Sequence, residues 1–204
     1  MGIILVNKLV QAFLQQTLVT VHTDAALLIP EIYPVDVYKP SDVTQLIEYY
    51  SKQPVKVKAG YPVETVQSPS VYVAPGDERF DEETIGWAER YEIAPDLIGT
   101  LEAKLYNKTC RIVSASDNAT VSDTLAGICR YLLQQNEEAF KQYGMSDLHC
   151  NVQELDLISR LYPQEFFYRT FVVTFTVIDT MIVSKDHLIK EININNIDLS
   201  LYNS

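Results

Sequence analysis

The densest hydrophobic pattern in the chain lies late, at residues 166–178, FFYRTFVVTFTVI. Phe167, Arg169, Phe171, Val173, Phe175 and Val177 take one set of alternate positions; Tyr168, Thr170, Val172, Thr174, Thr176 and Ile178 take the other. Period-two alternation in β-branched and aromatic residues predicts a strand with a Phe face and a Thr face. The pattern continues through Met181, Ile182 and Val183 toward Lys185. Such a strand would extend roughly 50–60 Å at about 3.3 Å per residue, about three times the usual length. It must bend, pair with a hairpin partner, or reach beyond its own domain.

Elsewhere the period shifts between two and 3.6. Residues 2–19 place Leu5/Val6, Leu9/Val10, Phe13/Leu14 and Leu18 at three- to four-residue spacing, with Lys8, Gln11, Gln15 and Gln16 between them, which predicts an amphipathic helix packed on a sheet. Residues 20–40 carry Pro30, Pro34 and Pro40 and little regular pattern, so an extended connecting arm is expected. Its Leu27, Leu28, Ile29, Ile32, Tyr33, Val35, Val37 and Tyr38 are too apolar for a solvated linker, and it must pack on its own domain or on a neighbour. Ser41 is the expected N-cap of a short helix over 42–50. PVKVKA (54–59) and SVYVA (70–74) alternate as strands, stopped by Gly60-Tyr61-Pro62 and Pro75-Gly76. The acidic GDERFDEE (76–83) is expected to be a solvated loop or helix start. Residues 101–116 predict a hairpin, with Leu101, Ala103 and Leu105 alternating on one arm, Cys110, Ile112 and Ser114 on the other, and Tyr106-Asn107-Lys108 near the turn. A helix over 121–135 follows, striped by Val121, Leu125, Ile128, Cys129, Leu132 and Leu133 and capped by Thr120 or Ser122. It extends or restarts over 137–143, with Gly144 as the stop. Residues 148–157 are weakly strand-like, and Ile192, Ile194, Ile197 and Leu199 alternate in a final segment, 189–201. The whole chain, 1–204, is expected to form a single α+β domain with the arm at 20–40 and an extended C-terminal segment at 186–204.

Composition narrows the class. With 47 % hydrophobic and 21 % charged residues the chain carries enough apolar surface for a core. Its net charge of −11 argues against direct gripping of phosphate backbones, which takes a basic footprint. Cys110, Cys129 and Cys150 stand 19 and 21 residues apart with no CxxC, so reduced, buried thiols are expected. The opening residues, MGIILVNKLVQAFL, lack a basic n-region and a small-residue cleavage site, so a helix and not a secretory leader is expected, and the sequons at Asn107 and Asn118 are expected to be chance matches. No run is long and apolar enough to predict a membrane span.

The sequence contains no nucleotide-binding glycine loop, nucleophile elbow or zinc motif. His22, His149 and His187 are scattered, and His149-Cys150 would point to opposite faces of a strand. The acidic run lacks the spacing of a calcium loop. No catalytic, cofactor-binding or metal residue is therefore assigned. Arg169, the one charge in this hydrophobic strand, is expected to lie on an edge, to pair with an acid of its own chain, or to point into an interface. Thirteen tyrosines supply amphipathic aromatics of the kind that suit interfaces.

Three segments together resemble the tail-terminator (tail-completion, neck) proteins of long-tailed bacteriophages: VKVKAGYPVETVQSPSVYVAP, CRIVSASDNATVSDTLAGICRYLL and EFFYRTFVVTFTVI, set behind an amphipathic N-terminal helix. The similarity of layout covers residues 1–19 and 50–183. It implies an α+β subunit, with a mixed, largely antiparallel sheet and helices packed on one face. It also implies a non-enzymatic virion protein: a homo-oligomeric, hexameric ring that caps the tail tube protein and joins it to the head–tail connector. A contractile tail would add contact with the sheath, and DNA would pass through without specific binding. No cofactor is implied. The acidic segment 76–83 and the segment 20–40 depart from the shortest members of the family and are candidate contact additions. Candidate interface residues are Tyr33, Tyr38, Tyr61, Asp77, Glu78, Phe80, Arg169, Met181 and Ile182. Competing readings are another neck, connector or baseplate subunit, a host-protein adaptor, and, from a different class, a small cytosolic α/β enzyme. An enzyme is expected to show a deep pocket with converging polar groups of shifted pKa, a ring subunit large apolar patches on two opposing flanks, and an adaptor a single patch.

Overall fold

The computed structural model describes residues 6–63, 66–80, 87–94, 97–153 and 160–184. The chain divides into two compact units, Met1–Asp81 with Tyr106–Val177, and Glu82–Leu105 with Ile178–Ser204. Helices and a mixed, largely antiparallel sheet make it an α+β protein. In chain order the elements are α1 (Val6–Thr23), α2 (Ala25–Ile32), α3 (Pro40–Lys52), β1 (Lys56–Ala59), β2 (Ser70–Phe80), β3 (Trp87–Ala94), β4 (Leu97–Ser116), α4 (Ala119–Gln135), α5 (Glu137–Lys141), β5 (Met145–Gln153) and β6 (Phe167–Ser184). The sheet order is β1-β2-β4-β6-β5, with β3 paired to β4 off this path. Only the β1–β2 pair is parallel among the registers observed. Ser114 bonds to Arg169 and Asn107 to Thr176, so β4 and β6 also run in opposite directions.

The first unit is built around the Phe face of β6. Phe171, Val173, Phe175 and Val177 are buried, beside Val71 and Val73 of β2 and Cys110 and Ile112 of β4. The helices cover that face because each repeats an apolar residue every turn. Val6, Val10, Leu14, Leu18 and Val21 do so on α1; Val121, Leu125, Ile128, Cys129, Leu132 and Leu133 do so on α4. Phe140 of α5 packs between α1 and β6, its ring edge-on to Phe13 at 5.0 Å and tilted to Phe175 at 5.2 Å. The opposite face of the sheet has no helix among the described residues. A smaller cluster of Val66, Tyr72, Val113, Ala115, Tyr162 and Tyr168 covers part of it. There Ser70 Oγ, Tyr72 OH and Thr170 Oγ1 are buried without a hydrogen-bond partner.

Local chemistry sets the helix ends. Asn118 caps α4, its Oδ1 accepting from the backbone N–H groups of Thr120 (2.9 Å) and Val121 (3.3 Å). The expected caps, Thr120 and Ser122, lie inside the helix; Ser122 instead ties it to β4, its main-chain carbonyl accepting from Ser114 Oγ at 2.8 Å. At α3 the expected Ser41 cap is likewise displaced. The helix begins at Pro40, whose fixed φ suits the first helical position, and Ser41 bonds to Asp42. Gly144, at φ 73°, takes the left-handed position beyond α5.

Three further expectations are corrected. Residues 20–40 are not an extended arm: α1 continues to Thr23 and α2 spans Ala25–Ile32, with Pro30 tolerated inside it. The prolines hid a short helix whose Ala25 and Ile29 are fully buried. Residues 101–116 are not a hairpin but the second half of one strand, β4, whose hairpin partner is β3. The expected turn residues, Tyr106-Asn107-Lys108, lie within that strand, just after the boundary between the two units at residues 105 and 106. Finally, residues 76–80 of the acidic run continue β2 through a bulge between Pro75 and Glu78; residues 81–86 lie outside the described residues. The C-terminal segment 186–204 also lies outside them.

Two substitutions test this core. Tyr50→Phe removes a buried hydroxyl that donates to Val121 O (3.2 Å) and contacts Thr124 Oγ1 (3.0 Å), and is expected to cost about 1–2 kcal/mol. Thr170→Val replaces an unpartnered buried hydroxyl with a methyl of similar shape, and is expected to be neutral or stabilising by up to about 1 kcal/mol. Urea unfolding midpoints at fixed protein concentration measure both.

Candidate interaction surface

Where α2, α4 and β5 meet, Ile32, Tyr33, Gly127, Arg130, Tyr131, Gln134 and Cys150 line an open depression of about 340 Å³. Tyr33 forms its wall. The phenol OH donates to Thr124 O at 2.9 Å, and a Cβ at Gly127 would stand 2.3 Å from that oxygen, so only glycine admits the contact. Burial is the main cause that pushes the Tyr33 phenol up to about 12. At the rim Tyr131 donates to Glu31 Oε1 at 2.9 Å, and that bond is the first cause of its raised pKa.

Cys150 sits on the side of β5 that faces the helices, opposite Val173 of β6. Val152 is two residues on, opposite the buried Phe171, yet is 69 % exposed. Helical cover therefore stops short of the end of the strand. Among the described residues β5 pairs with β6 alone, which leaves its outer edge open. A bulge between Ser146 and His149, with Asp147 at φ 51°, interrupts the first half of that edge. The remaining His149-Cys150-Asn151-Val152-Gln153 carries no Lys, Arg, Asp or Glu. The opposite edge strand, β1, is Lys-Val-Lys-Ala and so is guarded by Lys56 and Lys58.

The turn after α2 is a second apolar surface. Val35, Val37 (76 % exposed) and Tyr38 project there, and Leu27 of α2 is equally exposed. The Tyr38 ring stands edge-on to Tyr33 at 5.1 Å.

The expected interface residues thus fall into three groups. Tyr38 is exposed on this turn. Tyr33 and Tyr61 are engaged within the chain: Tyr33 as described, and Tyr61 with its OH 3.5 Å from Pro75 O and the Arg111 guanidinium 6.0 Å from its ring centre. Arg169 resolves toward its own chain. Its guanidinium forks onto Asp123 in the first turns of α4, Nε to Oδ1 and Nη2 to Oδ2, and Nη1 donates to Tyr168 O at 3.1 Å. Both partners remain half exposed. Asp77, Glu78, Phe80, Met181 and Ile182 lie on β2 and β6, with their side chains outside the described residues. Sequence reasoning missed Val152 and Cys150; the uncharged run His149–Gln153 was the available signal.

The titratable groups bear on chemistry. Burial pushes Cys110 and Cys129 up to about 12 and Cys150 up to about 11, which keeps all three as neutral thiols. Among the described residues no three His, Cys, Asp or Glu side chains gather as a metal site, and no helix is long and apolar enough to cross a membrane. No family model matches the chain, and no curated protein matches it.

Two outcomes follow from this geometry. With a thiol reagent at pH 8, Cys150 should label before Cys110 and Cys129, which should react only on unfolding; peptide mapping of the labelled protein distinguishes them. Asp123→Asn should change stability by less than about 1 kcal/mol, since both partners of its ion pair are half exposed. Thermal melts of the two proteins provide the comparison.

Proposed function

We propose that this chain is a structural, non-enzymatic subunit of a homo-oligomeric ring, the tail terminator at the neck of a long-tailed bacteriophage. In that role it caps the tail tube, joins it to the head–tail connector, touches the sheath where the tail is contractile, and belongs to the virion. The observation that carries the reading is the length of β4 and β6, twenty and eighteen residues against about five or six for a typical strand. Each passes from the helix-backed unit into the second unit, as expected of a subunit that reaches for neighbours. The helix-backed, largely antiparallel sheet matches the layout that the resemblance implies. The uncharged edge of β5 and the apolar turn after α2 are exposed surfaces of the kind that contacts between subunits cover.

The groups around the depression support the same reading. Their shifts run toward the neutral form, the opposite of what an activated nucleophile needs. The net charge of −11 suits a channel that lets DNA slide by, since an acidic wall repels phosphates.

Native mass spectrometry and negative-stain imaging test the proposal. The expected species is a closed ring with a mass six times 23.2 kDa. The same protein should leave the electrophoretic mobility of duplex DNA unchanged at 150 mM salt. A protein that stays monomeric at all concentrations and fails to bind tail tubes overturns the reading.

A further inference from the structure

β5 offers half of a strand pairing, and the chain itself carries a segment suited to the other half. Beyond β6, residues 185–204 include Ile192-Asn-Ile194 and Ile197-Asp-Leu199-Ser-Leu201, apolar at alternate positions. Each run is three to five residues long, matching the five uncharged residues His149–Gln153 of the open edge. The edge lies beside the depression lined by Ile32, Tyr33, Arg130, Tyr131, Gln134 and Cys150, which leaves room on the helical side for the side chains of a strand added there. Val152, 69 % exposed next to that space, would be covered. Main-chain hydrogen bonds would supply the pairing and the alternate pockets its register.

We propose that the open edge of β5 receives the C-terminal segment, residues 188–202, of a second copy of the chain, and that this strand exchange links adjacent subunits. The inference rests on the ring reading and adds the contact that closes it. An edge on one copy and a tail on the next make a heterologous contact, which propagates around a ring; edge-to-edge pairing of two β5 strands would stop at a dimer.

Mixing two differently tagged proteins tests it, both in a Cys150→Ser background, one carrying Val152→Cys and the other Ile194→Cys. A disulfide-linked heterodimer between the tags is expected. Cross-linking confined to Val152→Cys with itself would mean edge-to-edge pairing. Cross-linking only within a chain that carries both cysteines would mean the tail folds back on its own edge. Either result overturns the proposal. Val152→Lys, which copies the guard found on β1, should abolish the ring while leaving the far-UV circular dichroism and melting temperature of the subunit unchanged; deletion of residues 185–204 should do the same to assembly. A ring that persists in both variants overturns the strand exchange and leaves the ring reading standing. A wild-type protein that forms no ring removes that reading first.

Discussion

Everything in the first unit depends on one packing constraint: a period-two stripe on β6 must meet period-3.6 stripes on α1 and α4. Phe171, Val173, Phe175 and Val177 supply the sheet side, with no polar side chain interrupting them. At roughly 1.5–3 kcal/mol for each large apolar side chain removed from water, this seam is the dominant stabilising term available to the unit. The edges of the seam show how strictly it is kept. Phe167 and Arg169 belong to the same face of β6 by alternation, yet both are half exposed because the helical layer ends before them. Arg169 then finds Asp123 at the start of α4, so the polar end of the stripe aligns the same two elements that its apolar part joins.

The helices are held to the sheet by hydroxyls as well as by area. Ser114 and Ser122 bond to each other's backbone between β4 and α4. Tyr50 and Tyr33 reach from α3 and from the turn after α2 to the carbonyls of Val121 and Thr124 in the first half of α4. Burial raises both phenols, so they act here as neutral donors. This is why α2 and its turn stay with the core despite Pro30 and Pro34. Apolar burial of Ala25 and Ile29 fixes one side, and a buried phenol fixes the other. The leftover apolar residues of that turn, Val35 and Val37, have no such role inside the unit, which is what makes their exposure informative.

Much of the fold was legible because its strongest signals are periodic. The α1 and α4 stripes, the two faces of β6 and the Val-Lys alternation of β1 follow directly from residue spacing, and the helix-backed, largely antiparallel sheet agrees with the expected fold class. The errors have physical causes. Pro30 outweighed the apolar residues of a helix only eight residues long, because propensity is a weak prior when burial favours the element. β4 was divided because alternation on both sides of Tyr106-Asn107-Lys108 resembles the two arms of a hairpin, and local pattern carries no information about a strand that passes between two units. The candidate surface was less legible. Tyrosine content pointed to Tyr33 and Tyr61, but a phenol that suits an interface suits a buried carbonyl equally well, and Tyr33 serves the core. Val152 gave no signal by itself; it matters only because β5 lies at the end of the sheet order, a fact of topology.

The asymmetry of the two sheet edges carries the argument furthest. Open edges are hazards, and proteins that remain monomeric guard them. Among the described residues one edge is guarded and the other is not: Lys56 and Lys58 stand on β1, while His149–Gln153 on β5 has only the upstream bulge at Asp147. Selection against aggregation alone would favour charges on both edges. An edge bulged over its first half and left uncharged over the next five residues limits pairing to a short, defined stretch. That restriction admits one strand in a limited range of registers, and the nearby depression leaves room for the side chains on one of its faces. Such an edge suits a directional contact in which the surface offered and the surface accepted are different. Repetition of that contact builds a ring when the rotation between subunits closes, and a filament when it does not.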